Sequence, residues 1–190
     1  METTLKTAPV AEPISLDEAK RHVRIDIDET DHDDYLQDLI TVAREQVEMI
    51  TWRRLGSQTW YAYLDDWPSA DYIELPFGSL ISVTAIKYTD IDGDESTWSS
   101  AEYIVDTNYQ KGRITLADGY TWPSENLYPS NPIEIEFVCG VVTIPAQVKH
   151  AMKMIISELF ENRETSIVGV SFQEMEMVNN LLSNYRLNEL

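Results

Sequence analysis

Residues 145–164, PAQVKHAMKMIISELFENRE, decide the fold. Val148, Ala151, Met152, Ile155, Ile156, Leu159 and Phe160 recur at i, i+3, i+4, i+7, i+8, i+11 and i+12. That spacing draws one continuous apolar stripe along a helix. Pro145 suits the first helical position, where a missing N–H has no intrahelical partner to lose. Lys149, Lys153, Glu158 and Glu161 fall off the stripe, where water reaches them. The segment is the expected core helix, against which the N-terminal helix and the strands should pack.

The rest of the chain gives that helix its setting. A length of 190 residues corresponds to one domain, or one domain with a large insertion. Such a chain buries enough surface to fold without a metal or disulfide staple. Its single cysteine, Cys139, offers no internal disulfide and no redox or metal spacing. Apolar runs fall well short of the ~20 residues that a bilayer span needs, so no membrane association is expected. The first residues, METTLKTAPVAEPIS, lack the apolar stretch of a signal peptide. Residues 1–14 are expected to form a flexible arm, and synthesis in a cytoplasm is the default.

The net charge is −19. Residues 1–56 contribute −6, residues 57–143 contribute −11 and residues 144–190 contribute −2. A surface this acidic repels phosphates and argues against a tight DNA clamp. It fits general solubility, an acidic host proteome, or a wall that nucleic acid must pass without sticking.

Upstream, Ser15 and Glu18 form a capping box ahead of a short helix over residues 16–24. The run IDIDETDHDD follows. Asp26, Asp28 and Asp31 suggest a calcium loop, but the sixth position from Asp26 is Asp31 where glycine is needed, and the twelfth is Gln37 where glutamate is needed. A solvated loop leading acids to a helix N-terminus accounts for it better. A second helix is expected over residues 33–51. Its apolar face is Leu36, Leu39, Ile40, Ala43, Val47 and Ile50, with Arg44, Glu45 and Glu48 outward and Gly56 as a C-terminal stop. Arg53 and Arg54 suit that helix end, and could alternatively meet a phosphate or a partner's carboxylate.

From Ser57 the period changes to two. QTWYAYLD, YIEL, SVTAIKYT, EYIVD, GRITLA and IEIEFVC alternate or are rich in β-branched and aromatic residues. Pro and Gly pairs punctuate them, and Asp92-Gly93 marks a hairpin or short loop. The pattern predicts an α+β fold. Helices from residues 15–56 and 144–187 pack together, with an antiparallel β-meander or small barrel inserted over residues 57–143, as one structural unit. After the core helix, the short link TSIVGVS (165–171) carries three β-branched apolar residues, Ile167, Val168 and Val170. They either tuck under the domain or pack on a neighbour. Ser171 with Glu174 makes a second capping box ahead of a last helix striped by Met175, Val178, Leu181, Leu182 and Tyr185.

Catalytic patterns are missing. His22, His32 and His150 have no second ligand at metal spacing. There is no Gly-rich phosphate loop and no nucleophile elbow. Trp60, Tyr61, Tyr63, Trp67, Trp98 and Trp122, together with the many acids, leave open a carbohydrate-binding or hydrolytic β-module. That reading requires an exposed aromatic cleft holding two carboxylates about 5–10 Å apart.

The ordered set resembles the phage head–tail connector family, also called adaptor or head-completion proteins, in its longer form with a β-rich insertion. The residues that carry the likeness begin with Ser15-Leu16-Asp17-Glu18-Ala19-Lys20. They continue with Asp33-Asp34, Leu36, Leu39-Ile40, Ala43-Arg44-Glu45 and Arg53-Arg54-Leu55. In the middle come Ile73-Glu74-Leu75-Pro76, Val83, Tyr88, Asp92-Gly93, Tyr103, Gly112-Arg113-Ile114, Trp122-Pro123 and Phe137. At the end stand Pro145, Ala151, Glu161-Asn162-Arg163-Glu164, Leu181-Leu182 and Tyr185-Arg186. The resemblance implies a structural virion protein without catalysis or cofactor. It would form a ring, generally dodecameric, beneath the portal of the capsid, extending the DNA channel and docking the tail or a stopper. Its partners would be the portal protein, its own copies and a tail or stopper protein. Double-stranded DNA would pass through the lumen without specific binding. The place is the virion neck, reached from the host cytoplasm during assembly. Another neck component, such as a stopper or tail-completion protein, is the alternative within this class. A ring closes by heterologous contacts, and Ile167, Val168 and Val170, with Tyr185, Arg186 and Leu187, are the expected partner contacts.

Overall fold

The computed structural model of the chain describes residues 1–162 and 171–187, the latter with side chains from 176 onward. It has an α+β architecture, with strands paired antiparallel throughout. The described residues divide into two compact units. One is made of residues 1–9 and 57–141, the other of residues 10–56 and 142–190.

The helical unit contains α1 (Leu16–Val23), α2 (Asp33–Thr51), α3 (Ala146–Glu161) and α4 (Ser171–Leu182), with a 3-10 turn at Ser183–Tyr185. The capping box at α1 forms as expected. Glu18 N–H donates to Ser15 Oγ, and Ser15 N–H donates to the Glu18 carboxylate, each at 3.2 Å. The expected stripe of α3 is the centre of this unit's core. Val148, Ala151, Met152, Ile155 and Ile156 are buried with Ala19, Leu36, Leu39, Ile40, Ala43, Val47, Val178 and Leu182. Here α3 packs on the other helices, and the strands enclose a core of their own, a correction to its expected role as support for both.

Two expectations for α2 are also corrected. Arg44 and Glu48 do not face water; they are 6% and 3% exposed. Arg44 donates from Nε to Glu12 at 2.9 Å and lies 3.3 Å from Glu48 through Nη1. Glu48 also accepts the Leu55 N–H at 2.8 Å and pairs with Arg54 at 3.4 Å. Each charge is neutralised locally, which is what allows burial. The helix ends at Thr51 as expected, but Gly56 is not its stop. Its C-cap is Trp52, at φ 56, whose N–H donates to Glu48 O.

The β unit contains β1 (Glu2–Thr7), β2 (Gln58–Leu64), β3 (Tyr72–Glu74), β4 (Leu80–Thr89), β5 (Glu95–Thr97), β6 (Tyr103–Asp106), β7 (Arg113–Leu116) and β8 (Ile133–Cys139). Five strands form one sheet in the order β1-β2-β8-β4-β5, and three form a second in the order β3-β7-β6. All six strand segments expected from alternation are present. The N-terminal residues expected as a free arm instead supply β1, which pairs with β2 from Glu2↔Tyr63 to Thr7↔Thr59. The core alternates along β8, where Ile133, Ile135, Phe137 and Cys139 point inward. Gly112, at φ 67, closes the turn before β7. A Cβ there would lie 2.5 Å from Leu80 Cβ, so only glycine fits both the backbone and the space.

Candidate interaction surfaces

The expected contact residues have different fates. Ile167, Val168 and Val170 lie outside the described residues. Tyr185 and Leu187 are engaged within the helical unit. Thr51 O is one of the last carbonyls of α2, which an isolated helix leaves without an N–H; it accepts the Leu187 N–H at 2.9 Å. Arg53 Nε donates to Tyr185 O at 2.8 Å, and its guanidinium sits over the Tyr185 ring at 5.2 Å. Burial raises the Tyr185 pKa above its ordinary value, against the opposing charge of Arg53. Leu187 is buried. Arg186 alone of the three is exposed, donating to Asn179 Oδ1 at 2.9 Å. Arg53 and Arg54 therefore tie the C-terminal segment and Glu48 to the end of α2.

The acidic run after α1 is organised by a buried lysine. Lys20 Nζ donates to Ile27 O at 3.0 Å and to Glu29 O at 2.6 Å, and pairs with the Asp33 carboxylate. An ammonium with three donors meets two carbonyls and a carboxylate, so the loop is closed by the chain's own cation. Among the described residues no group of three or more His, Cys, Asp or Glu side chains is placed to hold a metal ion.

In the β unit, Trp67, Trp98 and Trp122 pack on one another. Trp67 stacks on Trp122 with centroids 5.3 Å apart and planes 11° apart, while Trp98 lies 4.9 Å from Tyr103. Trp98 Nε1 donates to Glu102 at 2.7 Å, and Trp122 Nε1 donates to Ala70 O at 3.0 Å. Burial, and the nearby Glu125 charge, raise the Tyr88 pKa. A recess of about 460 Å³ borders this cluster, lined by residues including Tyr88, Trp98, Glu102, Tyr120, Trp122 and Glu125. Sugar platforms use open ring faces, whereas Trp98 is buried and Trp67 and Trp122 cover each other. Trp60 likewise packs on Phe77 at 4.8 Å. These four tryptophans serve as packing, with Glu102 as an anchor for an indole.

On the helical unit's surface, α1 and α3 bring together His22, His150, Lys149 and Lys153. The two imidazoles meet edge-on at 6.5 Å. Glu18 pairs with Lys149 at 3.5 Å and with Lys153 at 3.4 Å. The cap hydrogen bond from Ser15 and these lysines hold the Glu18 pKa below the usual carboxylate value. Desolvation, then the charges of His150 and Lys153, lower that of His22. No sequence pattern announced this patch, because its members come from two helices more than a hundred residues apart.

Comparison with known proteins adds the following. The family model described as phage gp6-like head-tail connector protein matches residues 13–113. No curated protein sequence matches the chain. Among solved structures, a chain from the neck of an empty gene transfer agent particle, computed with C6 symmetry, superposes with a TM-score of 0.83 at 22% identity. A chain from the virion of a native gene transfer agent particle gives 0.80 at 20% identity. One from the neck of a native particle, computed with C12 symmetry, gives 0.77 at 20%. Each alignment covers 100% of this chain and 97% of the other.

Proposed function

Because this chain belongs to the phage gp6-like head-tail connector family, we propose that it is the head–tail adaptor of a virion neck. It forms a ring beneath the portal, extends the DNA channel and presents a docking surface for the tail or a stopper protein. The observation that supports this most is end-to-end likeness to neck-particle chains, with neither chain carrying a substantial part the other lacks. Both units of the fold are shared, so the whole chain is fitted to one task.

The physical chemistry agrees with that task. Fifteen acids against four basic residues give the β unit a net charge of −11. A channel wall of that sign binds no phosphate tightly, so translocating DNA does not stall on ion pairs. The work of the molecule in this reading is to hold shape and present faces, and the packed aromatic cluster and the buried ion pairs provide rigidity for it. Catalysis has no part in this reading.

The test is the mass of the purified chain, alone and mixed with portal rings from the same genome. The expected result is a portal complex heavier by a multiple of 21.8 kDa, twelve copies for a dodecameric ring. A chain that stays monomeric at high concentration and also leaves the portal's mass unchanged overturns the proposal.

A further inference from the structure

The outward side of α2 changes character along its length. Besides Gln37, its exposed positions are Asp34, Asp38, Val42, Glu45 and Met49, followed by the cap Trp52; these last six are three or four residues apart and therefore on one face. The N-terminal half is acidic, as a solvated face near the positive end of a helix dipole should be. The C-terminal half, apart from Glu45, is apolar. Val42, Met49 and Trp52 are 38%, 69% and 54% exposed, three large apolar side chains on one face with Glu45 between the first two.

Trp52 is a second, independent anomaly. It occupies the left-handed C-cap position at φ 56, which glycine or asparagine fills without strain and a bulky aromatic does not. A strained, exposed tryptophan at the end of an apolar strip points to use at a contact, since neither its packing nor its backbone favours it here.

What covers the strip follows from charge. Copies of a chain carrying −19 repel one another, so a contact between them needs local opposite charge. The strip carries Asp38 and Glu45. Three basic residues, Arg21, Lys149 and Lys153, share the outer side of α1 and α3 with two acids, Asp17 and Glu18, of which Glu18 pairs with both lysines, so this face keeps an excess of positive charge. The outward stripe of α2 points away from the core it shares with α1 and α3, so the two faces lie on different sides of the bundle. That is what a heterologous, ring-closing contact requires. We propose that the Val42, Met49 and Trp52 strip of one copy docks on the α1–α3 face of the next copy, with Asp38 and Glu45 meeting Lys149 and Lys153. This rests on the ring reading above and names its interface. Trp52 is the central anchor, in keeping with the dominance of tryptophan at such sites.

The test is carbodiimide cross-linking, which joins carboxylates to amines at contact. A mixture of ¹⁴N- and ¹⁵N-labelled full chain is treated alone at high concentration and again on portal rings. Mixed-label peptides joining Asp38 or Glu45 to Lys149 or Lys153 are expected. Trp52→Asn, which suits the left-handed backbone, should leave the thermal midpoint unchanged or higher while weakening association about tenfold or more. Met49→Glu should do the same to association. Rings whose inter-copy links fall elsewhere, or Trp52→Asn rings as strong as wild type, overturn this interface and leave the adaptor reading standing. Wild-type chain that forms no inter-copy links in either condition overturns both.

Discussion

Replacing Glu48 with alanine tests whether the ionic cluster at the end of α2 holds the helical unit together. Glu48 is 3% exposed. Its carboxylate meets Arg44 at 3.3 Å and Arg54 at 3.4 Å, and accepts the Leu55 N–H at 2.8 Å. Removing one partner of a buried ion pair costs about 3–5 kcal/mol, because the remaining charge keeps its desolvation penalty without its compensation. The Leu55 hydrogen bond is included in that range, at about 1–3 kcal/mol for a buried donor losing its acceptor. Arg44 retains Glu12 at 2.9 Å, which argues for the lower half of the range. Glu48→Gln keeps an acceptor for Leu55 and removes only the charge, so it should cost less than Glu48→Ala. Pairing Glu48→Ala with Arg44→Met should cost less than the sum of the single changes, since the uncompensated guanidinium is removed. The assay is urea unfolding followed by the helical circular dichroism signal. At about 2–4 °C per kcal/mol for a chain of this size, a loss of about 3–4 kcal/mol should lower the thermal midpoint by roughly 6–16 °C. A Glu48→Ala protein within about 1 kcal/mol of wild type, or strict additivity with Arg44→Met, would refute the argument that these charges are mutually stabilised.

Gly112→Ala should destabilise by about 2–4 kcal/mol, combining a left-handed backbone with a clash against Leu80. Gly119→Ala, at φ 82 with open space around it, should cost only about 1 kcal/mol; equal losses in chemical denaturation would show that the Leu80 contact yields. The lowered His22 pKa means that the unfolded chain takes up this proton first as the solution is acidified. Its contribution is therefore complete above the ordinary histidine value of 6.5 and is lost as pH falls from there toward the folded value. His22→Gln should flatten stability against pH between 7 and about 5, and an unchanged slope would exclude the assignment. Lys20→Met should expose the 25–32 loop to proteolysis, with cleavage rate as the readout. Protection restored by calcium would contradict a loop organised around an ammonium ion.

Much of the architecture is written in periodicity. The stripe from Val148 to Phe160 marks a core helix because a 3.6-residue repeat survives along its length. The alternation in IEIEFVC marks β8 because one face is buried and the other is not. β1 carries no such mark. Its residues are almost all exposed, and it is a strand only because β2 lends it a hydrogen-bonding edge more than fifty residues later. Arg44 and Glu48 were illegible for a related reason: whether a charge on a helix is inside depends on Glu12 and Arg54, which lie outside the helical repeat. Tyr185 and Leu187 looked free in a terminal stretch with apolar residues and no further structure. Their anchors, Arg53 and Thr51, are far upstream, and an acceptor left over at a helix end gives no local sign of what will fill it.

The place of β8 has a consequence for synthesis. Among the described residues it is the last strand to leave the ribosome, yet it occupies the middle of the five-stranded sheet, with β2 on one side and β4 on the other. Until residue 139 emerges, those two neighbours have no common partner, and their edges stay open to other nascent chains. A message cut short before Ile133 therefore yields no five-stranded sheet at all. From the translation of Leu64 until that of Cys139, one edge of β2 waits for its partner.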